Sequence, residues 1–153
     1  MTLEYNQLLV AVDGSHEAEW AFKKSIGIAQ RNNATLNLVY IVDSRTITSS
    51  EVYNPSIEEH TFKVGKDLLE KYKQEAEKAG IQNVNNIIMA GSPKNLISRE
   101  VARKVKADLI ICGASGLNPI ERFVLGSVSQ HIVRHSPCDV LVVRTEEHAE
   151  ANA

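Results

Sequence analysis

The sequence predicts an open parallel α/β sheet of five strands with helices on both faces, for which 3-2-1-4-5 is taken as the common strand order. Three observations lead there. Apolar runs alternate with helical stripes in the order βα, βα, βα, βα, β; the first run, QLLVAVD (7–13), is apolar until it meets a charge; and ADLIICG (107–113), the most apolar run after it, ends on a glycine. Runs of that kind suit strands buried on both faces, and parallel strands need right-handed helical crossovers that cover the two sides of the sheet.

The elements follow in order. After strand one, Ser15 is placed to cap a helix whose first turn carries Glu17 and Glu19, at the end where the helix dipole is positive, and Ala18, Phe22, Ser25, Ile26 and Ala29 form its apolar stripe. Strand two is ATLNLVYIVD (34–43), with Leu36, Leu38, Tyr40 and Val42 on one face. A polar stretch, SRTITSSEVYNPS (44–56), reads as a loop, long for this kind of fold and able to cover something. Val64, Leu68, Tyr72, Ala76 and Ala79 mark a long second helix that Gly80 ends. NVNNIIMA (83–90) is the third strand. Ser92 and Pro93 then open a third helix as cap and first residue, with Ile97, Val101 and Val105 on its buried face. After ADLIICG, the run GSVSQHIVRHS supplies the last helix and CDVLVVR (138–144) the last strand. The whole reads as a Rossmann-like domain over 1–144, followed by a flexible polar tail, 145–153.

Composition narrows the function classes. The 153 residues, 43% hydrophobic, suffice for one full core and leave little room for a second domain. A net charge of −2 without a block of lysines or arginines argues against nucleic acid. No run approaches a bilayer span, and the start MTLEYNQ has no export signal, so the expectation is a cytoplasmic protein with no membrane partner. Cys112 and Cys138 sit in or beside apolar runs with no CxxC and read as packed free thiols.

In an open parallel sheet, ligands bind beyond the carboxyl ends of the strands where strand order reverses. Here that point lies between strands one and four, which brings Asp13-Gly14 together with Gly113. Gly113 can turn the chain off its strand, Gly116 can let a phosphate approach main-chain N–H groups, and Gly126 with Ser127 can open a helix whose first amides face an anion. Ser127 and Ser129 add hydroxyls. The spacing is G-x-x-G, nine residues, then G-S, which is neither G-x-G-x-x-G nor the lysine-bearing G-x-x-x-x-G-K-[ST] loop.

GASGLNPIERFVLGSVS resembles the G-2x-G-9x-G-[ST] signature of the ATP-binding branch of the universal stress protein family. LLVAVDGS, AGSPKNLI and HIVRHSPCDVLVV resemble other segments of that family in the same order, so the likeness spans roughly residues 5–144. The resemblance implies ATP, with Mg²⁺, as the ligand and a homodimer as the assembly. By the same resemblance Asp13 would contact the adenosine, Ala11 and Val12 would wall its pocket, and Ile41 would meet the adenine edge. Gly113 and Gly116 would line the ribose-to-phosphate turn, while Gly126, Ser127 and Val128 would offer N–H groups, with the Ser127 hydroxyl, to the phosphates. A carboxylate suits a ribose, whose hydroxyls donate to it, better than a phosphate, which would repel it without a cation. Two features depart from the pattern or tempt beyond it. Asp139 stands where many relatives have proline, and Arg122, inviting as a phosphate partner, reads better as a solvated linker residue.

No catalytic constellation is legible. His16 follows Asp13 closely but fits a solvent-facing first helical turn; His131 and His135 are four apart without a completing ligand, and His60 and His148 have no supporting pattern. The metal ligands are not specified by the sequence, and any ATP hydrolysis would be slow. The expected function is therefore an ATP-binding regulatory protein of the stress response. The alternative is a nucleotide-free homodimeric interaction module of the same fold; an adenylyl-transferring enzyme is disfavoured because DGSHEAE lacks a glycine-rich turn after strand one. The final run Val140–Val143, at a sheet edge, would be covered by its equivalent in a second chain.

Overall fold

A computed structural model describes residues 3–44, 55–115 and 125–145. Five parallel strands, β1 (Gln7–Ala11), β2 (Thr35–Asp43), β3 (Val84–Gly91), β4 (Leu109–Gly113) and β5 (Asp139–Val143), form one sheet in the order β3-β2-β1-β4-β5. This is the predicted order, with β1 and β4 adjacent at its centre and β3 and β5 at its edges. The helices are α1 (His16–Asn32), α2 (Pro55–Lys78), α3 (93–104) and α4 (Ser127–His135).

Two apolar clusters sandwich the sheet. On one face Leu8, Val10, Leu36, Leu38, Leu109 and Ile111 pack against Ala21, Phe22 and Ala29 of α1 and Leu69, Tyr72 and Ala76 of α2. On the other, Leu9, Val39 and Ile110 meet Ile97, Val101 and Ala102 of α3 and Ile132 of α4. The alternation along β1, β2 and β4 divides the side chains between the two faces, which is why these runs are apolar at almost every position. Phe22 and Tyr72 stack with ring centroids 4.3 Å apart and join the helices of the first face; such pairs contribute about 0.5–1.5 kcal/mol beyond area burial.

Where the structure differs from the periodicity, packing decides. The buried stripe of α2 is Gly65, Leu69, Tyr72 and Ala76, while Val64 is 45% exposed and Leu68 only half-buried. A Cβ on Gly65 would lie 2.6 Å from the Tyr40 ring. The missing side chain lets α2 settle onto β2 along that line, so the first turns bury Gly65 and Leu69 in place of Val64 and Leu68, while Tyr72 and Ala76 are buried as expected. In α3, Ser92 takes the cap position and Pro93 the first turn, but the Ser92 side chain makes no capping bond. Leu96–Val101 is π-helical between the α-helical turns Pro93–Asn95 and Ala102–Lys104. β2 also carries a buried polar residue: Asn37 donates to Leu8 O (3.0 Å) and Gln7 Oε1 (3.1 Å) and accepts from Asn85 Nδ2 (3.1 Å). Three strands are thereby tied at one register, since a slip would leave that amide buried without partners.

Candidate functional site at the reversal of strand order

β1 stops at Ala11, two residues earlier than the apolar run, although Val12 N–H still reaches Val39 O at 3.0 Å. The chain then turns sharply. Asp13 Oδ1 accepts from Ser15 N at 2.8 Å and Gly14 takes φ +85°, a backbone conformation that disfavours any side chain. Ser15 Oγ accepts from Ala18 N at 3.2 Å, which starts α1 at the carboxyl end of β1. Asp13 itself is left exposed at the rim. Its negative charge adds to burial in holding the Tyr40 hydroxyl above its ordinary pKa.

The first turn of α1 rests against the end of β4. A Cβ on Gly113 would sit 3.0 Å from the carbonyl carbon and Cβ of Glu17 and 3.2 Å from Ala18 N, so this glycine admits the helix. The three residues from Gly113 to Ser115 are held from three sides. Ala114 N donates to Val143 O (3.0 Å), Gly126 N donates to Ala114 O (2.8 Å), and the buried Ser129 hydroxyl donates to Gly113 O (2.6 Å). The fourth tie is a carboxylate: Glu17 Oε2 accepts from both Ser115 N (2.5 Å) and Ser115 Oγ (2.8 Å), and Glu17 is only 7% exposed.

Gly126 is the cap residue of α4, with φ −62° and ψ 160°, and its own carbonyl accepts from Gln130 N at 2.9 Å. Because its N–H is given to Ala114 O, Gly126 does not offer that amide to an anion. The next two amides, of Ser127 and Val128, have no acceptor among the described residues, as befits the first turn of a helix. Ser127 is exposed and Val128 half-buried. Among the described residues, a Cβ on Gly126 would meet nothing closer than Ser115 Cα at 3.5 Å, an ordinary contact. Neither its backbone angles nor its described neighbours require a glycine there.

The remaining expected residues divide by sheet face. Ala11, Ile41 and Val128 pack against the same cluster, on the α3–α4 side, and Ile41 stands beside Met89 in the β2–β3 register. Val12 is 3% exposed in the core on the opposite face, so its side chain does not share a wall with Ala11. Gly116, Pro119, Arg122 and His148 lie outside the described residues, as do most of the 44–56 loop and most of the tail. Glu17 and Ser115 were not singled out by the sequence as partners. The only signal for Glu17 was an acid in a first helical turn, and Ser115 is 98 residues away along the chain. Ser129, expected to donate outward, donates into the protein.

Other candidates fall away from the rim. His16 Nε2 accepts from Trp20 Nε1 at 3.2 Å on the surface of α1. The His131 and His135 rings lie 4.2 Å apart, tilted by 38°, but no group of three or more His, Cys, Asp or Glu that could hold a metal occurs among the described residues. Cys112 and Cys138 are free, and burial pushes both thiols up to about 11, so each is a neutral packed group near neutral pH. Asp139 begins edge strand β5 and accepts from the Tyr5 hydroxyl at 2.8 Å, a contact a proline could not make. A surface cavity of about 510 Å³ beside that contact, lined by Tyr5, Arg31, Asn32 and Leu141, belongs to the amino end of the sheet, remote from the rim. No helix among the described residues is long and apolar enough to cross a membrane.

An open, Rossmann-like parallel sheet whose central crossover is walled by tightly tied turns and by a helix start defines the class of protein. Within that class, the chain belongs to the universal stress protein family, whose family profile matches residues 4–144. A Staphylococcus saprophyticus protein assigned to the universal stress proteins is 55% identical over 148 residues, which cover 97% of this chain and 89% of that one. Among solved structures, universal stress protein UspA from Lactobacillus plantarum is 31% identical with a TM-score of 0.76, covering 94% of this chain and all of its own. A universal stress protein solved in complex with cAMP is 28% identical with a TM-score of 0.68, covering 92% of this chain and 98% of that one.

Proposed function

We propose that this chain is an ATP-binding regulatory protein of the stress response, in the ATP-binding branch of its family, with the nucleotide over the carboxyl ends of β1 and β4. The observation that carries the reading is the start of α4. Two amides without an acceptor among the described residues, Ser127 and Val128, follow a glycine that neither its backbone angles nor the described residues around it demand. A helix start of this kind favours an anion through both its N–H groups and its dipole. Asp13, exposed and already bonded to Ser15 N through one oxygen, keeps a second oxygen for ribose hydroxyls. Ala11, Ile41 and Val128 supply an apolar side for the base. A nucleotide bound to a relative of the same fold supports the ligand class.

The residues present fit a nucleotide better than they fit a dedicated metal cage. Mg²⁺ keeps several waters and uses few protein ligands, so the ion that accompanies ATP would be held chiefly by phosphates and water. The chain's own part is to position the phosphates, and hydrolysis, with no residue among the described ones placed to aim a water, is slow. Calorimetric titration with MgATP tests the reading. Wild type should bind saturably, and Gly126→Ser, whose hydroxyl can cap the free α4 amides, should bind at least about tenfold more weakly. Equal binding by both proteins would remove α4 from the site; no binding by wild type would favour the nucleotide-free interaction module.

A further inference from the structure

Glu17 is a buried carboxylate that the proposed site does not use directly. It joins the segment after β1 to the segment after β4 through both bonds from Ser115, made to a single oxygen. The other three ties of residues 113–115 are neutral: Val143 O, Gly126 N and the Ser129 hydroxyl. The main chain of Glu17 meanwhile presses on Gly113, where a Cβ would come within 3.0 Å. Ser115 could otherwise turn its N–H and hydroxyl toward an anion at the rim, and the carboxylate draws both inward. The choice of outward donors is thereby left to the start of α4, which packs on the same three residues through Gly126 and Ser129.

We propose that Glu17 is a positioning residue for the nucleotide site: it sets the conformation of residues 113–115 and, through Gly126 and Ser129, the aim of the α4 amides. This rests on the nucleotide reading given above. The bonds from Ser115 go to a carboxylate oxygen, a stronger acceptor than a neutral carbonyl. Glutamine is nearly isosteric and can place its carbonyl oxygen where Oε2 lies, so geometry and charge are separable.

The experiment measures amide hydrogen exchange at Ser115 in the nucleotide-free protein, together with MgATP affinity, for wild type, Glu17→Gln, Glu17→Ala and Ser115→Ala. In Glu17→Ala, Ser115 exchange should accelerate by at least about tenfold while the core of β1 and β2 stays protected, and MgATP affinity should fall by about tenfold or more. Glu17→Gln should recover most of both. Ser115→Ala, which keeps the N–H bond, should lie between wild type and Glu17→Ala and serves if Glu17→Ala does not fold. Unchanged Ser115 exchange in Glu17→Ala, or in Ser115→Ala should that variant stand in for it, would overturn the clamp. Faster exchange with unchanged MgATP affinity would overturn the positioning role. Absence of binding by wild type would instead overturn the nucleotide reading, with the exchange measurement still deciding whether Glu17 fixes the loop.

Discussion

The two glycines that flank the site, Gly113 and Gly126, look alike in a motif and differ in physical cause. At Gly113 a Cβ would be forced to within 3.0 Å of the α1 main chain, which cannot yield as a flexible side chain would. Gly113→Ala should therefore cost about 1–3 kcal/mol of stability through overpacking, read from urea unfolding midpoints. At Gly126 the contacts are ordinary, φ is −62°, and a serine would gain a capping bond. Gly126→Ser should thus leave stability unchanged or raise it by a few tenths of a kcal/mol while weakening nucleotide binding, and a large loss of stability would mean that the fold itself needs this glycine. The glycine spacing was legible because it is local in sequence. The Glu17–Ser115 bonds were not, because they exist only once β1 and β4 lie side by side, and a carboxylate in a first helical turn has an ordinary explanation in the helix dipole.

Among the elements, α1, β2 and β4 could be read from patterning because burial, capping and propensity agree in them. Ser15 caps α1 as expected, and Ala18, Phe22, Ser25 and Ala29 are buried. α2 was legible as a helix and, at Tyr72 and Ala76, in its facing; the facing of its first turns was not, since the residue that sets their approach, Gly65, carries no hydrophobic signal. The π-helical segment of α3 is likewise invisible to a 3.6-residue period. α4 holds a pH-sensitive element. His131 is kept below its ordinary pKa by desolvation first, then by the positive charges of His135 on its own helix and of Lys94 and Arg99 on α3. Its Nε2 is shielded and has no partner among the described residues. A depressed folded-state pKa means that stability is fully present above the unfolded value, about 6.5, and is lost as pH falls through the lower folded value. The denaturation midpoint should drop on going from about pH 7.5 to about pH 5, and His131→Gln should lose less over the same interval. An identical drop in both proteins would assign acid lability to other groups.

For the whole molecule, alternating apolar runs and right-handed crossovers call for a parallel sheet covered on both faces, and the order β3-β2-β1-β4-β5, a common one for such sheets, fixes which chain ends share a rim. It also leaves β5 at an edge with Val140, Leu141 and Val142 only half-buried. Our proposal that two chains pair through Val140–Val143 predicts a dimer in sedimentation at micromolar concentration. Leu141→Lys, placing a charge on that strand, should shift the protein toward monomer, and a wild-type monomer would count against pairing. Control of pairing by nucleotide would require the ligand to prefer one state, and the Ala114 N to Val143 O bond is a direct link between the rim and the end of β5. The central claim, that the α4 amides receive the nucleotide phosphates, is tested most directly by following backbone amide resonances during a MgATP titration. The account predicts that the largest saturable shifts fall on Ser127 and Val128, with Ser115, held by Glu17, moving much less. Saturable binding whose largest shifts lie elsewhere, with Ser127 and Val128 unmoved, would contradict it.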